Sequence, residues 1–348
     1  MKPGSGAAAT RAASAPPSTT AARRHGLPLL LLILLLAGCA TPPMSRKVLE
    51  APPSSLPRQY ELTTVPFFPQ ERYQCGPAAL ATVLNAWDRQ VTPETLVPEV
   101  YLPEREGSLP VEMKAAARQR GMVTYPLAPS VEDLLKEIAA GHPVLVMQNL
   151  SIDWWPQWHY AVAVGYDLNK REIVLRSGRM KRRTTELGTF ERTWERADYW
   201  ALVVLPPNRL PATAEALPYM EAAGELETAG QDEAAGRAYR TAFQQWPEHP
   251  LSLMDQGNRA YAQGAYDDAT RLFLKLVHTA PDKAYAWNNL GYSLAAQGCP
   301  SKAQQAVHCA ARLEPQDNNI QASVEEIGAL EASGRCPSTP LPDCPEDP

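Results

Sequence analysis

Three ladders of identical residues at one interval constrain this chain more than any other feature: Gly230, Gly264 and Gly298; Ala235, Ala269 and Ala303; Pro247, Pro281 and Pro315, each set spaced by 34 residues. An interval of that length defines a unit of two helices joined by a turn. The glycine supplies the turn, the alanine sits where the two helices cross closely, and the proline ends the unit. Such units bury their faces only by stacking, and the last needs a cap, for which the helical stretch "NIQASVEEIGALEAS" is suited. The expectation for residues 208–334 is therefore an all-α array of three repeats with a capping helix, followed by a Pro- and Cys-rich tail over 335–348.

"AWNNLGYSLAAQGCPSKAQQAVHCAARLEP" resembles a tetratricopeptide repeat, and "SLMDQGNRAYAQGAYDDATRLFLKLVHTAP" is similar to it. The first copy, near 217–250, is more degenerate. The resemblance implies a concave surface for a protein partner; the blander reading is a stabilising appendage to whatever precedes the array.

The N-terminus reads as a secretion signal. Lys2, Arg11, Arg23 and Arg24, with no acidic residue among them, precede the apolar run Leu27–Ala37, which is too short for a membrane span. "LAGCA" resembles a bacterial lipoprotein signal, which implies cleavage of residues 1–38 and lipid attachment to Cys39. Ala40 after that cysteine points, by the same resemblance, to the outer membrane facing the periplasm. Several acyl chains on one residue would hold the protein on the membrane. Residues 39–60, Pro- and Ser-rich without apolar period, read as a tether. Removing residues 1–38 takes the formal net charge from −5 to −9, which disfavours nucleic acid as a partner. An envelope location permits disulfides, so Cys299, Cys309, Cys336 and Cys344 allow two bridges in three connectivities. Cys75 is then left without a partner.

Between these ends, residues 61–207 place helical segments ("GPAALATVLNAW", "SLPVEMKAAARQRG", "SVEDLLKEIAAG") ahead of strands ("PVLVMQNL", "HYAVAVGYD", "EIVLRS", "YWALVVLP"). Ser130 and Asp133 form a capping box and Gly141 stops the third helix. This is an α+β pattern with an antiparallel sheet. Cys75 opens the first helix, where the terminus favours thiolate. A nucleophilic thiol also needs a base. His159 begins the strand "HYAVAVGYD", whereas His142 in "AAGHPV" reads as a turn residue.

"VPFFPQERYQCGPAALATVL", followed 84 residues after its cysteine by "HYAVAVGYD", is similar to the bacteriocin-processing, double-glycine type of papain-like cysteine peptidase over residues 62–206. The resemblance implies a papain-like fold, Cys75 as nucleophile, His159 as base, and Gln70 in the oxyanion hole, with Gln74 a weaker alternative. It also implies an aspartate after the next strand, where this chain has Ser177 and Gly178. Ser177 can fix the imidazole tautomer without stabilising its charge; Asp153 and Asp167 are the alternatives from nearby loops. "NLSIDWWPQWHY" brings Trp154, Trp155 and Trp158 up to the base, either lining the cleft or pinning their own loop. "RSGRMKRR" reads as a solvated hairpin tip, with acidic head groups or an acidic substrate as the alternative.

The expectation is a lipid-anchored cysteine peptidase acting on a peptide or protein substrate, whose repeats recruit a partner or the substrate. No cofactor or metal is expected. Two rivals use the same residues differently: a thiol amidase or acyltransferase, and a non-catalytic adaptor acting through its repeats.

Overall fold

The computed structural model describes residues 41–70, 74–330, 336 and 340–345. Residues Pro43–Pro348 make one compact unit, separate from Met1–Pro42. The signal-like run and Cys39 lie outside the described residues, as does much of the tail after residue 330. Among the described residues no helix is long and apolar enough to cross a membrane.

A seven-stranded antiparallel sheet organises the first part of the chain. Its strands are β1 (Gln59–Glu61), β2 (Val123–Pro126), β3 (Val144–Asn149), β4 (Trp158–Asp167), β5 (Glu172–Ser177), β6 (Met180–Glu186) and β7 (Ala201–Leu205). They lie in the order β2-β7-β3-β4-β5-β6. β3 pairs with the first half of β4, and β1 takes over beside its last residues, Gly165–Asp167. Along β4, Ala161 and Ala163 pack on one face while Tyr160, Val162 and Val164 pack on the other. Both faces are covered, which is why these strands read as nearly unbroken apolar runs instead of alternating ones.

One face carries α2 (Cys75–Asn85), α3 (Pro93–Val100) and α4 (Pro110–Arg118), which contribute Leu80, Leu84, Leu96 and Met113. The other carries α5 (Val131–Ala139) and α6 (Leu187–Glu195). The chain thus has an α+β domain of the expected class, with helices on both faces of its sheet. Ser130 caps α5 by accepting from Asp133 N at 3.1 Å, but its own N–H donates to Ala128 O, so only half of the expected capping box is made.

The helical array follows. Its first helices, α7 (Ala216–Thr228), α9 (Pro250–Ala262) and α11 (Ala284–Ala296), begin at 34-residue intervals. So do their partners α8 (Asp232–Gln245), α10 (Tyr266–Thr279) and α12 (Pro300–Leu313), and α13 (Asn318–Gly328) closes the stack. Gly230, Gly264 and Gly298 stand at the turns with φ of 72°, 75° and 76°, the left-handed region that glycine tolerates. Ala235, Ala269 and Ala303 are fully buried at the crossings. The bridges run Cys299–Cys336 and Cys309–Cys344, so the tail is tied back onto α12.

Two features depart from the sequence reading. Where a tether is expected, α1 (Pro43–Glu50) is packed, with Ser45 and Val48 buried. The fully buried Glu191 of α6 accepts from Met44 N at 3.1 Å and Ser45 N at 2.6 Å, capping α1 from 146 residues away. The second is a packing contact that the sequence reading did not include. Tyr219, Ala223 and Ala238 of its first pair belong to the same apolar cluster as Val146, Phe190 and Trp194.

The joint between the two parts is a buried carboxylate. Glu137 on α5 accepts from Thr213 N at 2.7 Å, Thr213 Oγ1 at 2.6 Å and Ala212 N at 3.1 Å, and pairs with His142 Nδ1 at 2.6 Å. His142 thus lies in the loop after α5, as its sequence suggests, and is buried there. Burial alone would raise the Glu137 pKa, but the bonds from His142 and Thr213 outweigh it and hold the carboxyl below its usual range. A carboxyl with a depressed folded-state pKa stabilises the fold above its unfolded value of about 4.3. That contribution is lost as pH falls through the folded value. Glu137→Gln should cost about 3 kcal/mol at neutral pH, because it breaks a buried pair. The difference from wild type in urea melts should shrink as the pH is lowered below 4.

Candidate active site

Cys75 is the first residue of α2, and Gly76 behind it is dictated by packing. A Cβ there would collide with the Ser108 side chain and press on Met113. The first turn of α2 therefore lies close against the loop before α4, and its far side packs on the sheet through Ala79, Leu80 and Val83. Cys75 is the one free cysteine among the described residues.

β4 and β5 supply the opposing side of the site. His159 is the second residue of β4, and its Nε2 lies 2.8 Å from Ser177 Oγ at the end of β5. With Nε2 engaged there, Nδ1 is the ring nitrogen left to exchange a proton with a thiol. Asp167 is at the opposite end of the same strand, where its Oδ1 accepts from Asn169 N and Lys170 N. Eight residues of extended chain, about 26 Å, separate it from His159. Asp153 sits in the exposed loop before β4 and lines a cavity with Trp158, Arg192 and Arg196. Ser177, itself buried, is the residue that meets the imidazole.

Gln70 locks these pieces together. Its Nε2 donates to Tyr160 O at 3.2 Å and its Oε1 accepts from Gly178 N at 2.8 Å, while its own N–H donates to Gly178 O at 3.0 Å. The Tyr160 N–H on the same strand lies in hydrogen-bonding reach of the Cys75 thiol. One N–H of the Gln70 amide is committed to Tyr160, and a primary amide carries a second. Gln74 stands at the N-cap of α2 and makes no side-chain capping bond.

The electrostatics differ from the expectation of a resting thiolate. Burial raises the Cys75 pKa, and it outweighs the backbone N–H groups of Tyr160, Gly76 and Cys75 that favour the anion. Burial, and then the charge of Arg183, lower His159 to about 4. Both groups are neutral at pH 7, so the free site holds a thiol and an imidazole instead of an ion pair.

Arg176 is the supporting residue that sequence reasoning missed. It opens the run read as a solvated tip, yet it is buried and donates to Leu62 O at 3.2 Å, Val65 O at 3.4 Å and Lys181 O at 2.7 Å. It thereby holds the segment that delivers Gln70. Its signal in the sequence was slight: an arginine inside an apolar strand pattern, "EIVLRS", two of whose three acceptors are main-chain carbonyls more than a hundred residues away.

These pKa directions make a testable statement. Iodoacetamide should alkylate Cys75 only as pH rises beyond the ordinary thiol range near 8.5. Peptide cleavage should lose its base in acid near pH 4, and Arg183→Gln should move that acid limb upward, toward the ordinary imidazole range, by removing a like charge.

Residues 62–202 match the family described as the Peptidase_C39 like family. Solved structures add partial likenesses. A protein described as a C39-like peptidase from Bacillus anthracis shares 19% identity over 42% of this chain and 97% of its own, with a TM-score of 0.36. A double glycine motif protease from an AMS/PCAT transporter, in complex with the leader peptide, shares 23% identity over 42% of this chain and 94% of its own, at TM-score 0.34. A mutant O-GlcNAc transferase from Thermobaculum terrenum shares 24% identity over 33% of this chain, at TM-score 0.30, and this chain spans 23% of its length. No curated protein matches the chain. Residues 62–202 therefore carry a match to the Peptidase_C39 like family, and that match supports a cysteine peptidase in this part of the chain.

Proposed function

We propose that the protein is a lipid-anchored envelope peptidase that cleaves peptide bonds with Cys75 and His159, its tetratricopeptide-like array bringing the substrate or a partner to the cleft. The observation that carries this reading is the Gln70 bridge. A single buried amide spans Tyr160 and Gly178, the residues next to His159 and Ser177, and the N–H of the same Tyr160 reaches the thiol.

In the chemistry this supports, Cys75 Sγ attacks the scissile carbonyl carbon as its proton passes to His159 Nδ1. Neutral imidazole serves as general base here, so no pre-formed thiolate is needed. The carbonyl oxygen becomes an oxyanion held by the second N–H of Gln70 and the backbone N–H of Cys75. Collapse breaks the C–N bond, and the leaving amine takes the proton from His159. Water then gives a proton to His159 and attacks the thioester, and the thiol leaves with that proton restored. Ser177 keeps the ring oriented but adds no charge, so the imidazolium formed in each half-reaction is short-lived.

His159→Ala should lower kcat/KM about 10²- to 10⁴-fold, and Gln70→Ala about 10²- to 10³-fold, on a quenched peptide set with Cys75→Ala as the blank. Equal rates in wild type and blank would sink the peptidase reading. The array is tested by a chain ending at residue 249, which keeps α7 and α8 in the shared core. It should cleave short peptides at the wild-type rate and lose selectivity for its protein substrate. Truncation at 207 should instead abolish cooperative folding, because it strips Tyr219, Ala223 and Ala238 from that core.

A further inference from the structure

The loop between β3 and β4 is exposed from Ile152 through Trp158 and carries three tryptophans in seven residues. Trp154 is 80% exposed, Trp155 72% and Trp158 54%. Aromatic rings at a loop tip ordinarily fold back onto the domain; these do not. Nor is the loop slack. Asn149 Oδ1 accepts from Ser151 N at 3.0 Å and Gln157 N at 2.9 Å, Leu150 N donates to Gln157 O at 2.9 Å, and Trp155 N donates to Ile152 O at 3.0 Å. Arg196 secures the base of the loop by donating to Asn149 O. Polar bonds therefore build the loop and leave the aromatic rings in water.

A basic turn stands at the same end of the sheet. Trp158 precedes His159, which bonds Ser177, and Gln70 ties Tyr160 to Gly178. From there run Arg179, Met180, Lys181, Arg182 and Arg183; Met180 and Lys181 are exposed, and Arg182 is paired with Glu61. The acidic groups near the loop, Asp153, Glu195 and Asp198, lie around the cavity of about 560 Å³ beside Trp158. Trp154 and Trp155 take no part in lining that cavity.

We infer that this end of the domain is a membrane-docking surface, in which Trp154 and Trp155 enter the head-group layer of a bilayer and the basic start of β6, with Lys181 exposed on it, meets its anionic phosphates. A polypeptide groove would enclose the aromatic rings in a concavity, whereas here a projecting, rigid tip offers two rings to whatever is flat and yielding. Tryptophan prefers the membrane interface because its ring is apolar and its N–H is polar. Cations within a Debye length of an anionic leaflet each add about 1 kcal/mol, which corresponds to about fivefold in binding. The surface is independent of any lipid on Cys39. It would place the Cys75–His159 cleft at the membrane face, where substrates lying on the bilayer would reach it laterally.

The test uses residues 41–348, which contain the whole compact unit, after a cooperative melt confirms folding. Co-sedimentation is measured with vesicles of phosphatidylcholine alone and of phosphatidylcholine mixed with phosphatidylglycerol, alongside quenching of tryptophan emission by brominated lipid. Binding to the mixed vesicles, weakened by salt, with quenching lost in Trp154→Ser/Trp155→Ser and affinity about fivefold lower in Lys181→Gln, supports the inference. Because both tryptophans are exposed, the double variant should fold as wild type does. If wild type and double variant sediment alike, or wild type fails to bind the mixed vesicles, the inference is overturned. It is equally overturned if the double variant raises KM for soluble peptides while wild type ignores vesicles, since the loop would then be a wall of the substrate cleft. The sedimentation and quenching outcomes do not depend on whether Cys75 is active.

Discussion

A buried primary amide governs the geometry of the cleft. Gln70 has no strand of its own, yet its side chain and main chain together make three bonds, one to the β4 end and two to the turn after β5. Those strands are already paired through Val162 and Arg176, so the glutamine fixes the last residues beyond their ladder, where fraying would otherwise begin. His159, Tyr160, Ser177 and Gly178 are all within that span. The segment that delivers Gln70 is in turn held by Arg176, whose guanidinium collects the carbonyls of Leu62, Val65 and Lys181. Buried polar groups of this kind are costly unless every bond is made, and for that reason they specify one arrangement.

The electrostatic character of the site follows from the same burial. A helix terminus favours thiolate, but desolvation of the thiol is the larger effect here. On the imidazole side, the position where the sequence resemblance implies a carboxylate holds a hydroxyl, and the charge acting on His159 is the cation Arg183. Both influences favour neutral partners. A cleft poised in this way has little intrinsic reactivity toward small electrophiles, and its reactivity develops when a substrate carbonyl is present to receive the developing charge.

Much of this architecture was legible in the sequence because its signals are local. The glycine and alanine ladders set the array, and the apolar runs "PVLVM", "HYAVAVGYD" and "ALVVL" mark β3, β4 and β7 to within a residue or two. Cys75 at a helix start, His159 at a strand start and Gln70 nearby were likewise visible as residue types in order. What escaped depends on partners far along the chain. α1 has a composition suited to a tether and is a helix because Glu191 caps it. β6, "MKRRTTE", is polar along its length and pairs only because β5 offers it an edge. His142 resembles any turn histidine until Glu137 and Thr213 converge on the same spot. The sharing of one apolar cluster between sheet and array is invisible to periodicity, which reports that a face is buried but not against what.

The capped helix α1 has a mechanical consequence. The fold begins at Pro43, so the lipid anchor proposed at Cys39 would stand four residues before packed chain, a reach of at most roughly 14 Å, and not the twenty-odd residues its composition suggests. Such a leash permits tilting and rolling but no excursion. The enzyme would patrol a thin shell against the bilayer, searching two dimensions instead of three, and a substrate held farther out would have to be carried down to it.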